Sequence, residues 1–110
     1  RGEVLLLRHT YKRCRPWGLP AGWLRGREDP AAAVERELAE ECGFRARILR
    51  PLRVDASPAW PQLDIVYLCA ADGGSFVPSP EVSDYGWFAP QHLPDLEPRQ
   101  RDILHAALKA

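Results

Sequence analysis

The sequence predicts an α/β layered domain with a mixed β-sheet, and three observations predict it. A short apolar run, Val4-Leu5-Leu6-Leu7, reads as a buried strand near the start. A helix follows that is punctuated at both ends, by Asp29-Pro30 and by Gly43. Strand-forming stretches come next, the strongest over residues 63–70, and a second helix closes the chain. The order strand, helix, strands, helix is that of helices layered on a sheet.

Each element has a local reason. Val4 to Leu7 is continuous and apolar, as a strand covered on both faces requires. Residues 10–16 are polar and basic and read as a loop. Trp17-Gly18-Leu19-Pro20 alternates large and small residues and ends on Pro, which suits a short extended segment before a turn. Asp29 can cap the next helix, Pro30 fits its first position, and Gly43 fits the left-handed position beyond its end. The helix body is 30–42, with Ala31, Val34, Leu38 and Cys42 on one stripe at helical spacing. Residues 44–56 carry Ala46, Ile48, Leu52 and Val54 and read as one long or interrupted strand around Pro51. Asp72-Gly73-Gly74-Ser75 reads as a turn, and Tyr85-Gly86-Trp87-Phe88 as a short strand. Pro98 opens the second helix, whose apolar face is Ile103, Leu104, Ala107 and Leu108. The 110 residues are expected to form a single domain over 1–110. The chain has no Met and opens on Arg1-Gly2-Glu3. Gly2-Glu3 reads as the tail of a hairpin turn, so a further strand is expected before residue 1.

Bulk composition narrows the function. The formal net charge is zero. A protein that grips a nucleic-acid backbone shows a basic excess, so no nucleic-acid partner is expected. No apolar run reaches the ~20 residues that span a bilayer, so no membrane partner is expected either. The three cysteines, Cys14, Cys42 and Cys69, form no CxxC pair. An odd count without such pairs fits a reduced, cytoplasmic chain.

The segment that carries chemistry starts at Gly22. Five residues separate it from Glu28, and seven more lead to Arg36-Glu37-Leu38-Ala39-Glu40-Glu41-Cys42-Gly43-Phe44. At about 100° per residue, Glu37, Glu40 and Glu41 share one side of the helix, away from the apolar stripe. Like charges at this spacing repel, and anions near a helix C-terminus oppose the dipole. A bound hard cation removes both penalties, because Mg²⁺ takes carboxylate oxygens and keeps positions open for water and phosphate. A bare acidic face usually only keeps a helix wet. Here Gly22, Glu28, Arg36 and Gly43 frame it at fixed offsets.

With those residues quoted, the resemblance is specific. Residues 22–44 match the box of the Nudix hydrolase (MutT-like) family, G-x5-E-x7-R-E-U-x-E-E-x-G-U with U aliphatic or aromatic, at every defined position. The resemblance implies a Nudix-type α/β/α sandwich with the box as loop, helix and loop. It implies that Glu37, Glu40 and Glu41 bind Mg²⁺ (or Mn²⁺), with the Gly22 carbonyl as a further ligand. Arg36 would hold a box glutamate by a charge-assisted pair, and Glu28 would support the loop. Leu38 and Phe44 would be core. The implied reaction is attack of water on phosphorus in a nucleoside diphosphate linked to a further group. Glu40, Glu37 and a glutamate outside the box are all candidates for the base, and Arg36 belongs to the same catalytic group. Glu81, in Pro80-Glu81-Val82, is the outside candidate for an additional metal ligand or base; the alternative is an exposed loop acid. One departure stands out. Relatives read Leu-Pro-Gly-Gly where this chain has Leu19-Pro20-Ala21-Gly22, so the turn must keep Ala21 out of positive φ.

Substrate choice is less legible. Trp17, Trp23, Trp60 and Tyr67 could each stack on a base, though aromatics are more often core. Ser57-Pro58-Ala59-Trp60-Pro61 resembles, in part, the Trp-Pro motif of NADH-hydrolysing relatives. Arg8 and the basic loop Lys12, Arg13 and Arg15 are candidates for contacting phosphate. The substrate-binding candidates are therefore Trp17, Trp60 and Arg8. His9, His92 and His105 show no metal or nucleophile spacing and read as structural or exposed. The expected partner is a small-molecule nucleotide, with ADP-ribose or a dinucleotide favoured over a (deoxy)nucleoside triphosphate. A nucleotide-sensing module without turnover and an allylic diphosphate isomerase are the other readings. The first sits poorly with an intact set of box carboxylates, and the second lacks its acid pair. Oligomeric state stays open, a homodimer included.

Overall fold

The computed structural model describes residues 2–22, 24–56 and 63–108. In chain order the elements are β1 (Val4–His9), β2 (Trp17–Gly18), α1 (Pro30–Cys42), β3 (Phe44–Ala56), β4 (Leu63–Gly74), β5 (Val82–Phe88), a 3-10 turn (Pro90–His92) and α2 (Pro98–Leu108). One sheet has the order β2-β1-β5 and the other pairs β3 with β4. The strand pairings among the described residues are antiparallel.

Layering follows from strand alternation. Successive side chains on a strand point to opposite faces, so Leu6 and Leu7 of β1 feed two cores. Leu7 is fully buried with Leu38 and Cys42 of α1 and Val82 of β5, with Leu5, Phe44, Ala46 and Phe76 packed around them. Leu6 is fully buried with Leu96 and Leu104 of the α2 side, flanked by Val4, Trp17, Leu19, Phe88 and Leu93. The three-stranded sheet therefore lies between α1 and α2, as the α/β/α reading expects.

Local signals place the helices well. Asp29 has extended backbone and its carboxylate accepts from Ala32 N at 3.2 Å. Gly43 ends α1 at φ 81°, and its N–H donates to Ala39 O at 3.0 Å. The buried stripe of α1 runs through Ala33, Leu38 and Cys42, with Ala31 and Val34 partly buried. Among the described residues Arg15 is the non-glycine at positive φ (51°), so Ala21 avoids that region as its Cβ requires.

One expectation narrows and another changes. The strand at 44–56 is continuous through Pro51, and its irregularity takes the form of register shifts at Phe44/Ala46, Ile48/Arg50 and Pro51/Arg53. The expected turn at residues 72–75 is strand through Gly74, which pairs with Phe44. Gly73 and Gly74 sit at φ 107° and 83°. Glycine adopts such angles without steric cost, so β4 stays paired where a side chain would end the strand.

Gly43 is the position where this geometry is least replaceable. A Cβ there would meet the Ser75 carbonyl as well as the left-handed backbone penalty. Gly43→Ala is expected to lower the stability of the folded chain by about 2 kcal/mol or more, read as a reduced urea midpoint. An unchanged midpoint would mean that α1 ends in some other way.

Candidate active site

The site is built on α1 and the loop that leads into it. The caps at Asp29 and Gly43 fix both ends of the helix, so Glu37, Glu40 and Glu41 project from defined turns. Arg36 organises them. Its guanidinium forks onto Glu28, with Nε donating to Oε2 at 2.6 Å and Nη2 to Oε1 at 2.9 Å. Its Nη1 donates to Glu37 Oε2 at 3.1 Å and to Glu40 Oε1 at 3.0 Å. Arg36 and Glu28 are mostly shielded, with side chains 19% and 18% exposed. Paired bonds from a planar fork add direction to charge attraction. The ammonium group of a lysine could not reproduce this geometry.

Glu28 also ties the loop down, because its Oε1 accepts from Arg25 N at 3.1 Å. Arg25 Nη2 in turn reaches Glu40 Oε1 at 3.2 Å. The pairing with Arg36 holds the Glu28 carboxyl below the usual range and the Arg36 guanidinium above its own. Gly22 lies against this network. A Cβ built on it would run into the Glu37 side chain, so the backbone beside Glu37 is close enough to admit only glycine.

Glu41 is treated differently from its neighbours. Partial burial first, and then the charge of Glu37, Glu81 and Glu40 with a hydrogen bond to Glu37, push its carboxyl up to about 7. Burial and the neighbouring carboxylates thus both favour the protonated form of Glu41. Glu81 takes part in that field. It is exposed just before β5, and its carbonyl accepts from Thr10 N at 2.9 Å. Among the described residues no three His, Cys, Asp or Glu side chains converge on one cation position. Glu37 and Glu40 turn toward Arg36 instead. The donors along this face are all oxygens, which suits a hard cation such as Mg²⁺ and not a soft one.

The other candidates fall elsewhere. Trp17 packs edge-on against Phe88, with ring centroids 5.2 Å apart, and lines the α2-side core. Arg8 is exposed and its Nη1 donates to Ser83 Oγ at 3.4 Å. Trp60, with Trp23 and the stretch 57–62, lies outside the described residues. In the basic loop, Lys12 pairs with Glu97 at 3.2 Å and Arg15 with Asp95 at 3.3 Å. His9 is buried and His92 and His105 are exposed. A depression of about 380 Å³ lies between β3 and α2, lined by Arg53, Asp55, Arg99, Asp102 and Ile103. It contains no box residue, and its arginines are already held by Asp55 (2.8 Å) and Asp64 (2.6 Å). One residue near the acids had no sequence signal. Tyr11 sits in the polar loop after β1, and the charges of Glu41 and Glu81 act on its hydroxyl. Only the three-dimensional course of that loop brings it there.

The NUDIX domain profile matches residues 1–107. This chain belongs to the Nudix family. It is 34% identical over 100 residues to the NAD-capped RNA hydrolase NudC of Deinococcus radiodurans, covering 87% of this chain and 35% of that protein. It is 33% identical over 109 residues to the 8-oxo-dGDP phosphatase of Homo sapiens, covering 94% of this chain and 33% of that protein. The chain thus spans about a third of these relatives. Among solved structures, a MutT NUDIX hydrolase from Burkholderia pseudomallei superposes with a TM-score of 0.78 at 31% identity, covering 96% of this chain and 88% of that one. A UDP-X diphosphatase superposes at 0.84 with 23% identity, covering 98% and 56%, and shows the shared fold.

The raised Glu41 carboxyl has a consequence for stability. It ionises near 7 in the folded, metal-free chain against 4.5 when unperturbed. Folding therefore favours its protonated form. That contribution is full below the unperturbed value and is lost as pH rises through about 7. In the presence of chelator the thermal midpoint should fall across about pH 5 to 8, and Glu41→Gln should flatten the fall. Parallel slopes for the two proteins would show that Glu41 titrates normally.

Proposed function

We propose that this chain is a divalent-metal-dependent pyrophosphohydrolase that cleaves a phosphoanhydride bond in a nucleoside-diphosphate-linked substrate of the ADP-ribose or dinucleotide kind. The observation that carries this reading is the unbalanced carboxylate face of Glu37, Glu40 and Glu41. Glu37, Glu40, Glu41 and the Gly22 carbonyl would hold Mg²⁺ (or Mn²⁺). Bound there, such a cation neutralises diphosphate charge and lowers the pKa of its water.

The chain's own residues do the rest. Arg36 keeps Glu37 and Glu40 in place, and Glu28 keeps Arg36 in place. Glu40, Glu37 or Glu81 accepts the proton as the water oxygen bonds to phosphorus and the anhydride P–O bond breaks. Arg25, exposed beside Glu40, is free in orientation to meet a phosphate oxygen once the carboxylates turn toward a cation.

The dinucleotide preference draws support from two sources. Several bacterial relatives carry the name NAD-capped RNA hydrolase, and an NAD cap is itself a dinucleotide pyrophosphate. The Trp60-Pro61 pair in the sequence points the same way. Zero net charge gives little grip on an RNA body, so the pyrophosphate is read as the recognised group. A second reading, a (deoxy)nucleoside di- or triphosphate as substrate, is favoured by the relative named 8-oxo-dGDP phosphatase. A sensing module without turnover is disfavoured because each box carboxylate is present.

A turnover screen with Mg²⁺ and Mn²⁺ over ADP-ribose, NADH, dinucleoside polyphosphates and nucleoside triphosphates tests the proposal. Release of a nucleoside monophosphate from the first two is expected, with loss of activity in chelator. Glu40→Gln should slow turnover by about 100-fold or more, the range of a lost carboxylate base. Equal rates for the two proteins, or chelator-resistant activity, would overturn the assignment.

A further inference from the structure

We propose that the ring of Tyr11 is the platform on which the substrate's nucleobase stacks, an inference that rests on the proposed hydrolase reading. Tyr11 is 64% exposed, yet the loop that carries it is pinned on both sides. The preceding residue, Thr10, donates its N–H to Glu81 O at 2.9 Å and its hydroxyl to Pro80 O at 2.6 Å. The following residue, Lys12, pairs with Glu97 at 3.2 Å. Beneath the ring lies buried His9, with centroids 5.4 Å apart and planes tilted by 50°. An aromatic side chain is thereby held in place with much of its surface facing water. Ordering that is already present need not be lost on binding, so such a ring stacks at low entropic cost.

Its position gives the ring a ligand. Thr10 is bonded to the Glu81 backbone, and Glu81 is among the acids whose charge acts on Glu41, so Tyr11 stands beside the carboxylate face. The charges of Glu41, Glu81 and Glu97 act on its hydroxyl and make the ring a poor seat for phosphate. The phosphates belong on the carboxylate face, with a cation between. What extends to the rim is the group joined to them through one ribose. A flat, largely apolar base matches an exposed ring face, whereas a sugar would leave its hydroxyls without partners. Trp17 packs on Phe88, and Phe44, Phe76 and Tyr85 pack on one another, while Trp87 is also exposed, at 47%, on β5.

Steady-state kinetics on ADP-ribose with Mg²⁺, for wild type, Tyr11→Ala and Tyr11→Phe, test the platform. Tyr11→Ala should raise KM about tenfold, as for loss of one base stack, with a much smaller change in kcat. Tyr11→Phe keeps the ring and should restore KM to within about twofold. An unchanged KM in Tyr11→Ala, or equal damage in the two variants, would overturn it. A second readout does not need turnover. In saturation-transfer NMR with AMP and Mg²⁺, adenine protons should receive saturation from the wild-type protein and lose it in Tyr11→Ala, while ribose protons keep theirs. No adenine signal in the wild type would sink the platform. If adenine contacts persist but no substrate is cleaved, the hydrolase reading has failed and the platform has not.

Discussion

Glu37, Glu40 and Glu41 crowd three carboxylates onto little more than one turn of α1, and the surrounding residues answer that repulsion. Arg36 takes the largest share by bonding Glu37 and Glu40 with one nitrogen. To do so it must be aimed, and Glu28 aims it through the paired bonds at 2.6 and 2.9 Å. The loop between Gly22 and the helix is in turn shaped by Glu28 and by the glycine that lets the backbone lie against Glu37. At Glu41 the same crowding shows as a raised carboxyl, through burial first and then the charges of Glu37, Glu81 and Glu40. Exchange of the Glu41 proton and the Arg36 contacts for a divalent ion would convert a structural network into a reactive one.

Much of this was legible before any coordinates, because it rests on local rules. Asp29, Pro30 and Gly43 mark the ends of α1, and the offsets among Gly22, Glu28 and Arg36 to Glu41 are fixed by sequence spacing alone. Other features depend on distance in space and not in sequence. The glycines at 73 and 74 read as a turn, but pairing with Phe44 draws them into β4. The link from Thr10 to Pro80 and Glu81 joins residues about seventy positions apart. No periodicity announces such a contact, so Tyr11 was indistinguishable from any residue of a polar loop. Trp17 shows the converse. Its aromatic character marked it for base stacking, and in the fold it is partly buried, edge-on to Phe88 and packed against the core beside α2.

The division between box and periphery has a physical basis. Metal and phosphate chemistry needs a set of oxygens at fixed offsets, and one helix can supply them from consecutive turns. Base recognition needs a surface assembled from loops, and loops of different ancestry can build it with different residues. Relatives of this chain accordingly carry names as different as NAD-capped RNA hydrolase and 8-oxo-dGDP phosphatase. In this chain the loop after β1 is tied to the segment before β5, beside Glu81.

The most direct test of the carboxylate face is calorimetric titration of Mg²⁺ into the metal-free protein near pH 7, repeated in buffers of different ionisation enthalpy. Glu41 titrates near that pH, so binding should expel about half a proton per chain, and Glu41→Gln should remove that release. No binding in the wild type, or undiminished binding in Glu41→Gln, would contradict a cation held by Glu37, Glu40 and Glu41.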